Sequence, residues 1–341
     1  MFKKSFAFAT VAMLVVGSLF TGCGINNNKA LVKVNGGEDV ITLGYANFAA
    51  RYMQAVYEKM YDGYFGEDMW STDLYGLGTT FEQDIKIAVQ SNLEDDYVCI
   101  QHAAEYGVEL SEDDKKAIEE AADKFIELND AKVLKLMSAD KDTVVKYLTN
   151  CTIATRTKKA IKEAANVTVT KDEAWQRTFT YVLFKMDAMV DASGNTAYPT
   201  EEFIASQKEK AEAVAAAADF NAAISDIDSN NAASANYVYT KGETEDPTLD
   251  MAVINAAEAL TVEGQVSPVI EVPEVGYYVV RLNSDFDESA TNDKMENIKY
   301  EKERDAYNEK KDEWFKELDW SFNDKAWSKV KFDTMFNFTD K

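Results

Sequence analysis

Among the 341 residues there is a single histidine, His102, three places after Cys99. On a helix that spacing puts a thiol and an imidazole on one face, which is half of a zinc site. Two ligands do not complete a zinc shell and the sequence has no further Cys-His cluster, so the two read as a buried pair. Asp226-Ile227-Asp228-Ser229-Asn230 opens like a calcium loop. The sixth place holds Asn231 rather than glycine and the twelfth holds Tyr237 rather than a bidentate glutamate, so it reads as a helix end and turn. A Ser-His-Asp hydrolase would have to recruit His102 from an acidic helix, and there is no Gly-x-Ser-x-Gly elbow. No glycine loop is built to cradle phosphate. With 60 acidic residues, carboxylate pairs are everywhere and single out no glycosidase. No metal and no cofactor are expected.

The remaining reactive residue is Cys23. Lys3 and Lys4 precede an uncharged apolar run from Phe6 to Phe20, the pattern of a secretory signal. The run is shorter than the roughly 20 residues that cross a bilayer as a helix. It ends in Leu19-Phe20-Thr21-Gly22-Cys23, which resembles the lipobox of bacterial lipoproteins, with Phe20 where leucine is usual. Such a cysteine takes a diacylglycerol and becomes the mature N-terminus. Residues 1–22 are therefore expected to be a removed signal, 23–30 a polar tether, and the protein to sit on the extracytoplasmic face of the membrane, held by lipid alone.

The whole chain carries a net charge of −24, and loss of the two leader lysines takes it to −26. So acidic a surface repels nucleic acid and anionic headgroups. Cys99 and Cys151 are the only other cysteines; a disulfide and two free thiols both stay open at this point.

The elements that must position any site fall into three stretches, because all four prolines lie between residues 171 and 288. In 31–170, Leu31-Val32-Lys33-Val34 reads as a strand running into the Asn35-Gly36-Gly37 turn. Tyr45, Phe48, Tyr52, Val56 and Met60 recur at helical spacing. Further helices are expected over 80–106, closed by Gly107, from the Ser111 start to about 128, and over 143–165. In 171–288 the period changes. Strands are expected over 179–186, 235–240, 266–272 and 277–282, with helices over 200–218, 220–227 and 250–260, forming an α+β domain around a mixed sheet. In 289–341 a charged helix over 292–318 leads to Trp320, Phe322, Trp327, Phe332 and Phe336, which need a partner to bury them. The simplest arrangement folds this tail onto 31–170 and leaves the α+β domain as an insertion. The stripe from Tyr45 to Tyr64, with Phe65, Trp70 and the flexible Met53, Met60 and Met69, reads either as core or as a groove for unfolded clients.

Several segments resemble the extracytoplasmic parvulin-type foldases, the PrsA and SurA class. Val34-Asn35-Gly36 before a helix resembles the opening of that family's helical chaperone domain, and Glu105-Tyr106-Gly107-Val108-Glu109-Leu110-Ser111 resembles its internal helix junction. Leu260-Thr261-Val262-Glu263-Gly264-Gln265-Val266-Ser267-Pro268-Val269, followed by Gly276-Tyr277-Tyr278-Val279-Val280-Arg281-Leu282, resembles the closing strands of a parvulin domain. The resemblance covers nearly the whole mature chain. It implies an α+β protein in which N- and C-terminal segments form a helical chaperone-like domain around an inserted parvulin-like domain.

It also implies where a site would be. Active parvulins carry a histidine in the first strand before an Ile-Leu pair and another in the last strand after Gly-Tyr; here those places hold Tyr181, before Val182-Leu183, and Tyr278. The family's apolar pocket position corresponds to Glu258, within Ala256-Ala257-Glu258-Ala259-Leu260. Leu183, Tyr237, Glu258 and Leu260 are the peptide-binding candidates. Prolyl isomerisation must cross a barrier of about 20 kcal/mol, and a tyrosine donates a hydrogen bond without reproducing an imidazole pair. The expectation is a membrane-anchored folding factor for newly exported, unfolded polypeptides with weak or absent isomerase activity. Two alternatives stand beside it: an isomerase that works through Tyr181 and Tyr278, and a surface lipoprotein with one dedicated partner. A homodimer through the helical parts is left open.

Overall fold

The computed structural model describes residues 14–16, 25–66, 68–186, 189–190, 196–225 and 227–338. They fold as two compact units, one containing the described residues up to Asn166 and those from Glu303 onward, the other Val167–Lys302. Cys23 lies outside the described residues.

Unit 1 begins with β1 (Leu14–Val16), inside the stretch read as the leader, followed by the hairpin β2 (Ala30–Val34) and β3 (Glu38–Thr42). Asn27, in the stretch read as a tether, is tied down: its carbonyl accepts the Gly44 amide at 3.0 Å and its side chain accepts the Ser138 hydroxyl at 2.9 Å. Helix α1 (Leu43–Met60) starts at a Thr42 cap, and α2 (Phe81–Gln101) starts at a Thr80–Gln83 capping box. A short 3₁₀ turn after α2 closes at Gly107, whose φ of +64° is the left-handed conformation glycine adopts without strain. Ser111 and Asp114 cap α3 (Glu112–Leu128) reciprocally. The short α4 (Ala131–Met137) and long α5 (Lys141–Ala164) complete the bundle.

Unit 2 opens with β4 (Gln176–Lys185), then the two-residue strands β5 (Met189–Val190) and β6 (Thr196–Ala197), which pair with each other. Helices α6 (Glu201–Ala215) and α7 (Phe220–Ser225) lead to β7 (Ala232–Thr240). Then come α8 (Met251–Glu258), β8 (Ile270–Val272) and β9 (Gly276–Ser284). The main sheet has the order β7-β4-β9-β8 and every pairing in it is antiparallel, so the expected mixed sheet is corrected. The reason is in the connections. Among the described strands none returns through a crossover to lie parallel to a neighbour; β7 and β9 flank β4 and both run against it. The β8–β9 turn needs Gly276, with φ +153°, because a Cβ there would collide with the Phe184 carbonyl.

Helix α9 (Glu288–Lys316) begins in unit 2 and ends in unit 1. Beyond it, β10 (Trp320–Phe322) pairs antiparallel with β2, a short α10 (Asp324–Trp327) follows, and β11 (Phe336–Phe338) pairs with β1. Trp327, Val330 and Phe332 enter one buried cluster with Leu31, Trp70 and Phe81, which is where the apolar tail finds its cover. Cys99 and Cys151 are free thiols. The expected buried Cys99–His102 pair is only half right: Cys99 is buried against the Tyr307 hydroxyl at 3.4 Å, but His102 is partly exposed. It stacks on Trp314 with centroids 4.0 Å apart and bonds Glu105 at 2.6 Å. Among the described residues no group of three His, Cys, Asp or Glu is arranged to hold a metal, and no helix is long and apolar enough to cross a membrane.

Candidate functional site

Strand alternation sorts the apolar run of β4 onto two faces. Phe179, Tyr181 and Leu183 join Tyr278, Val280 and Leu282 of β9 beneath Val253, Ile254 and Ala257 of α8. Val182 and Phe184 join Tyr277 and Val279 on the opposite face, against Ala211 and Val214 of α6 and Phe220 of α7. Both faces are covered, which is why this strand reads as nearly continuous apolar sequence.

In the β4–β9 ladder Leu183 stands opposite Tyr278 and Tyr181 opposite Val280, so the two tyrosines are diagonal neighbours on one face. Their ring centroids are 5.8 Å apart at 52°. Tyr278 is buried and Tyr181 half-buried. Burial, with smaller contributions from Tyr181 and Asp250, raises the pKa of Tyr278, so it stays a neutral phenol at physiological pH. Neither hydroxyl is hydrogen-bonded to another described residue. Leu183 and Tyr237 lie half-buried beside the pair, and the Tyr237 hydroxyl donates to the Asp246 carboxylate at 2.8 Å. The assembly offers the half-buried Tyr181 and Tyr237 rings and phenol O–H groups. It contains no imidazole, because the one histidine belongs to unit 1.

The other two candidates face inward. Leu260 is buried and Glu258 is bound within the unit, its carboxylate accepting the Tyr239 hydroxyl at 2.9 Å and pairing with Arg177 at 3.0 Å. Arg177 is the residue that sequence reasoning missed. One of its terminal nitrogens donates to Tyr239 (2.8 Å) and to the Ala257 and Glu258 carbonyls (3.3 and 3.0 Å). The other pairs with Asp285 at 2.8 Å and donates to the Leu260 carbonyl. The guanidinium therefore satisfies the Glu258 and Leu260 carbonyls, otherwise unmet among the described residues, adds a second donor to the Ala257 carbonyl, and pins the end of α8 to the sheet. The available signal was its position: two places before Phe179, a lone charge on the buried face of the strand.

Unit 1 contributes a different surface. The stripe on α1 divides along its length: Tyr45 and Phe48 are core, whereas Met60 is exposed. Beyond the helix, Trp70 is buried, but Tyr64, Phe65, Tyr75 and Leu77 are exposed, Tyr64 by 84%. Ring contacts link two of them, Phe65 and Tyr75, through Tyr61 and Phe81: Phe65 to Tyr61 at 5.3 Å, Tyr61 to Phe81 at 6.4 Å and Tyr75 to Phe81 at 5.9 Å.

No protein-family model matches this chain, and no curated protein matches it significantly. Solved structures do. The foldase protein PrsA of Lactococcus lactis is 13% identical, with a TM-score of 0.33 over 89% of this chain and 97% of that one. A chain from the pair PEB4 and Cj1289, SurA-like chaperones of Campylobacter jejuni, is 10% identical, with a TM-score of 0.28 over 87% of this chain and 99% of that one. The peptidylprolyl isomerase PrsA of Bacillus cereus is 15% identical, with a TM-score of 0.28 over 73% and 91%. The structural neighbours of this chain are thus PrsA foldases and SurA-like chaperones, over most of its length.

Proposed function

We propose that this protein is an extracytoplasmic folding factor, held at the membrane through a lipid on Cys23, that keeps newly exported polypeptides from aggregating. The observation that carries the reading is the exposed aromatic run of unit 1. A chain so acidic has ample charge to cover its surface, yet it leaves Met60, Tyr64, Phe65, Tyr75 and Leu77 in solvent next to a ring-packed core. Exposed apolar side chains gathered within one stretch, residues 60–77, suit contact with unfolded segments. In unit 2, the half-buried Tyr181, Leu183 and Tyr237, backed by the buried Tyr278, form a second apolar contact face at the edge of the α8 cover rather than a proton-transfer centre, with Glu258 and Leu260 holding it from within.

The test joins two measurements on the mature chain. Aggregation of a chemically unfolded client should slow at equimolar protein, and replacing Tyr64, Phe65, Tyr75 and Leu77 together by serine should remove most of that protection. Turnover of proline tetrapeptides should stay near the uncatalysed rate. Absence of client protection rejects the chaperone reading, and turnover at the level of an active parvulin rejects the non-catalytic reading of unit 2. One observation favours a second reading, a tyrosine-based isomerase: both hydroxyls are free to donate to a twisted amide. In that case Tyr181→Phe with Tyr278→Phe abolishes turnover.

A further inference from the structure

The face of the unit 2 sheet opposite the tyrosines holds a cavity of about 400 Å³, within the size range of small-ligand sites. Phe184 of β4, Val214 of α6, Ala223 of α7 and Ala232 of β7 give it apolar walls. Its polar lining is built rather than incidental. Gln207, fully buried, donates to the Lys185 and Asn231 carbonyls, each at 2.9 Å, and its side-chain oxygen accepts from Lys210 at 3.0 Å. Asn231 donates its amide to the Asp228 carboxylate at 2.6 Å. That bond fixes the orientation of the Asn231 amide, and its Oδ1 is left buried with no donor among the described residues. Native proteins rarely leave a buried acceptor unmet unless something else supplies the donor.

We propose that this cavity is a second polypeptide-binding site, which takes one aliphatic side chain of an extended segment while the segment's backbone N–H donates to Asn231 Oδ1 and a backbone carbonyl accepts from Lys210 Nζ. The lining selects this class of ligand. An anion such as a phosphate would meet the Asp228 carboxylate, and a free cation would meet Lys210. A neutral amide beside an apolar group answers the acceptor, the donor and the walls together. A leucine or valine within a peptide backbone is such a group, and charged or bulky aromatic residues are not. The inference rests on the client class proposed above and adds a place and a side-chain preference.

The probe is a short, uncharged, unstructured peptide that carries a photoreactive leucine and a fluorophore, added to the mature full-length chain. Crosslinks should map to α6, α7 and the start of β7. Ala213 and Lys210 line the cavity from exposed positions on α6, so substitutions there leave the core intact. Ala213→Trp, which plugs the mouth, should weaken binding at this site about tenfold or more, equivalent to at least 1.4 kcal/mol. Lys210→Met should weaken it severalfold, and this second variant keeps the test decisive if the tryptophan disturbs folding. Tyr181→Phe with Tyr278→Phe should leave these crosslinks in place. Crosslinks confined to the tyrosine face or to unit 1, unchanged by Ala213→Trp and Lys210→Met, overturn the cavity site and leave the folding-factor reading intact. A peptide that binds nowhere on a chain that still protects an unfolded client also overturns the cavity site, and absence of both peptide binding and protection overturns the two readings together.

Discussion

In each unit a buried charged side chain holds a distant piece of backbone, and two of them, Glu58 in unit 1 and Arg177 in unit 2, do so with opposite chemistry. In unit 1, Glu58 of α1 accepts Gln54 and Trp70 on one oxygen and the Phe336 amide on the other, all at 2.7 Å. Gln54 also donates to the Thr334 carbonyl, and Arg51 lies over the Phe332 ring. In unit 2, Arg177 of β4 collects carbonyls from the end of α8 together with two carboxylates. Glu58 is held by neutral donors, so burial dominates and pushes its pKa up. Arg177 faces two opposite charges and cannot deprotonate at any ordinary pH. A buried charge can therefore serve as a titratable latch in one unit and as a permanent rivet in the other.

The sharpest way to break this comparison is Arg177→Met. It would strand Glu258 and Asp285 without their cation and leave the Glu258 and Leu260 carbonyls unmet, which for a buried network costs about 3–5 kcal/mol. Hydrogen exchange read amide by amide is the measurement. Protection of the β4 and β9 amides should fall by roughly two orders of magnitude or more, at 1.36 kcal/mol for each factor of ten, while α1 and α2 stay protected. A loss shared equally by both units, or one below about 1 kcal/mol, would show that Arg177 is not the rivet of unit 2.

How much of this was readable from the residues differs between the fold and the site. The α1 stripe, the Ser111 cap and the Gly107 stop are local signals, and the structure places elements where they point. Strand β3 was missed because Glu38 and Asp39 break the apolar alternation, and its pairing with β2 is set by the turn instead. The sheet was misread as mixed because strand direction depends on how each connection returns, which no single segment encodes. The nearness of Tyr181 and Tyr278 follows from antiparallel register between two recognisable strands. The role of Glu258 could not be read locally, since its partner Arg177 lies 81 residues away in the chain.

A smaller effect should separate the two units by pH. The folded-state pKa of Glu58 is raised above its ordinary 4.5. Its contribution to the stability of unit 1 is therefore complete below 4.5 and is lost as pH rises through the folded value. Asp287 in unit 2 runs the other way. The Ala290 amide and the Thr178 hydroxyl lower its pKa below 3.8, so its contribution is present above 3.8 and is lost as pH falls through the folded value. Glu58→Gln replaces one acceptor oxygen by an NH₂ facing the Phe336 amide, at a cost of about 1–3 kcal/mol. It should also remove the pH term that belongs to Glu58. Subtracting the variant's exchange profile from the parent's between pH 4 and 7 isolates that term from the other carboxylates. A difference that does not change with pH would mean that Glu58 titrates normally and that unit 1 has no such latch.

The smallest expected change is also the one that makes the functional test readable. The Tyr278 and Tyr181 hydroxyls bond to no described residue, so Tyr278→Phe and Tyr181→Phe remove no internal hydrogen bond and keep the 5.8 Å ring pair. Each should alter stability by less than about 0.5 kcal/mol in urea unfolding. Any loss of peptide binding or turnover in these variants then belongs to the missing donor and not to a loosened sheet. A destabilisation of about 1 kcal/mol or more would instead place these hydroxyls within the internal bonding of unit 2, alongside Tyr239 and Arg177, and would take the phenol pair out of the contact face altogether.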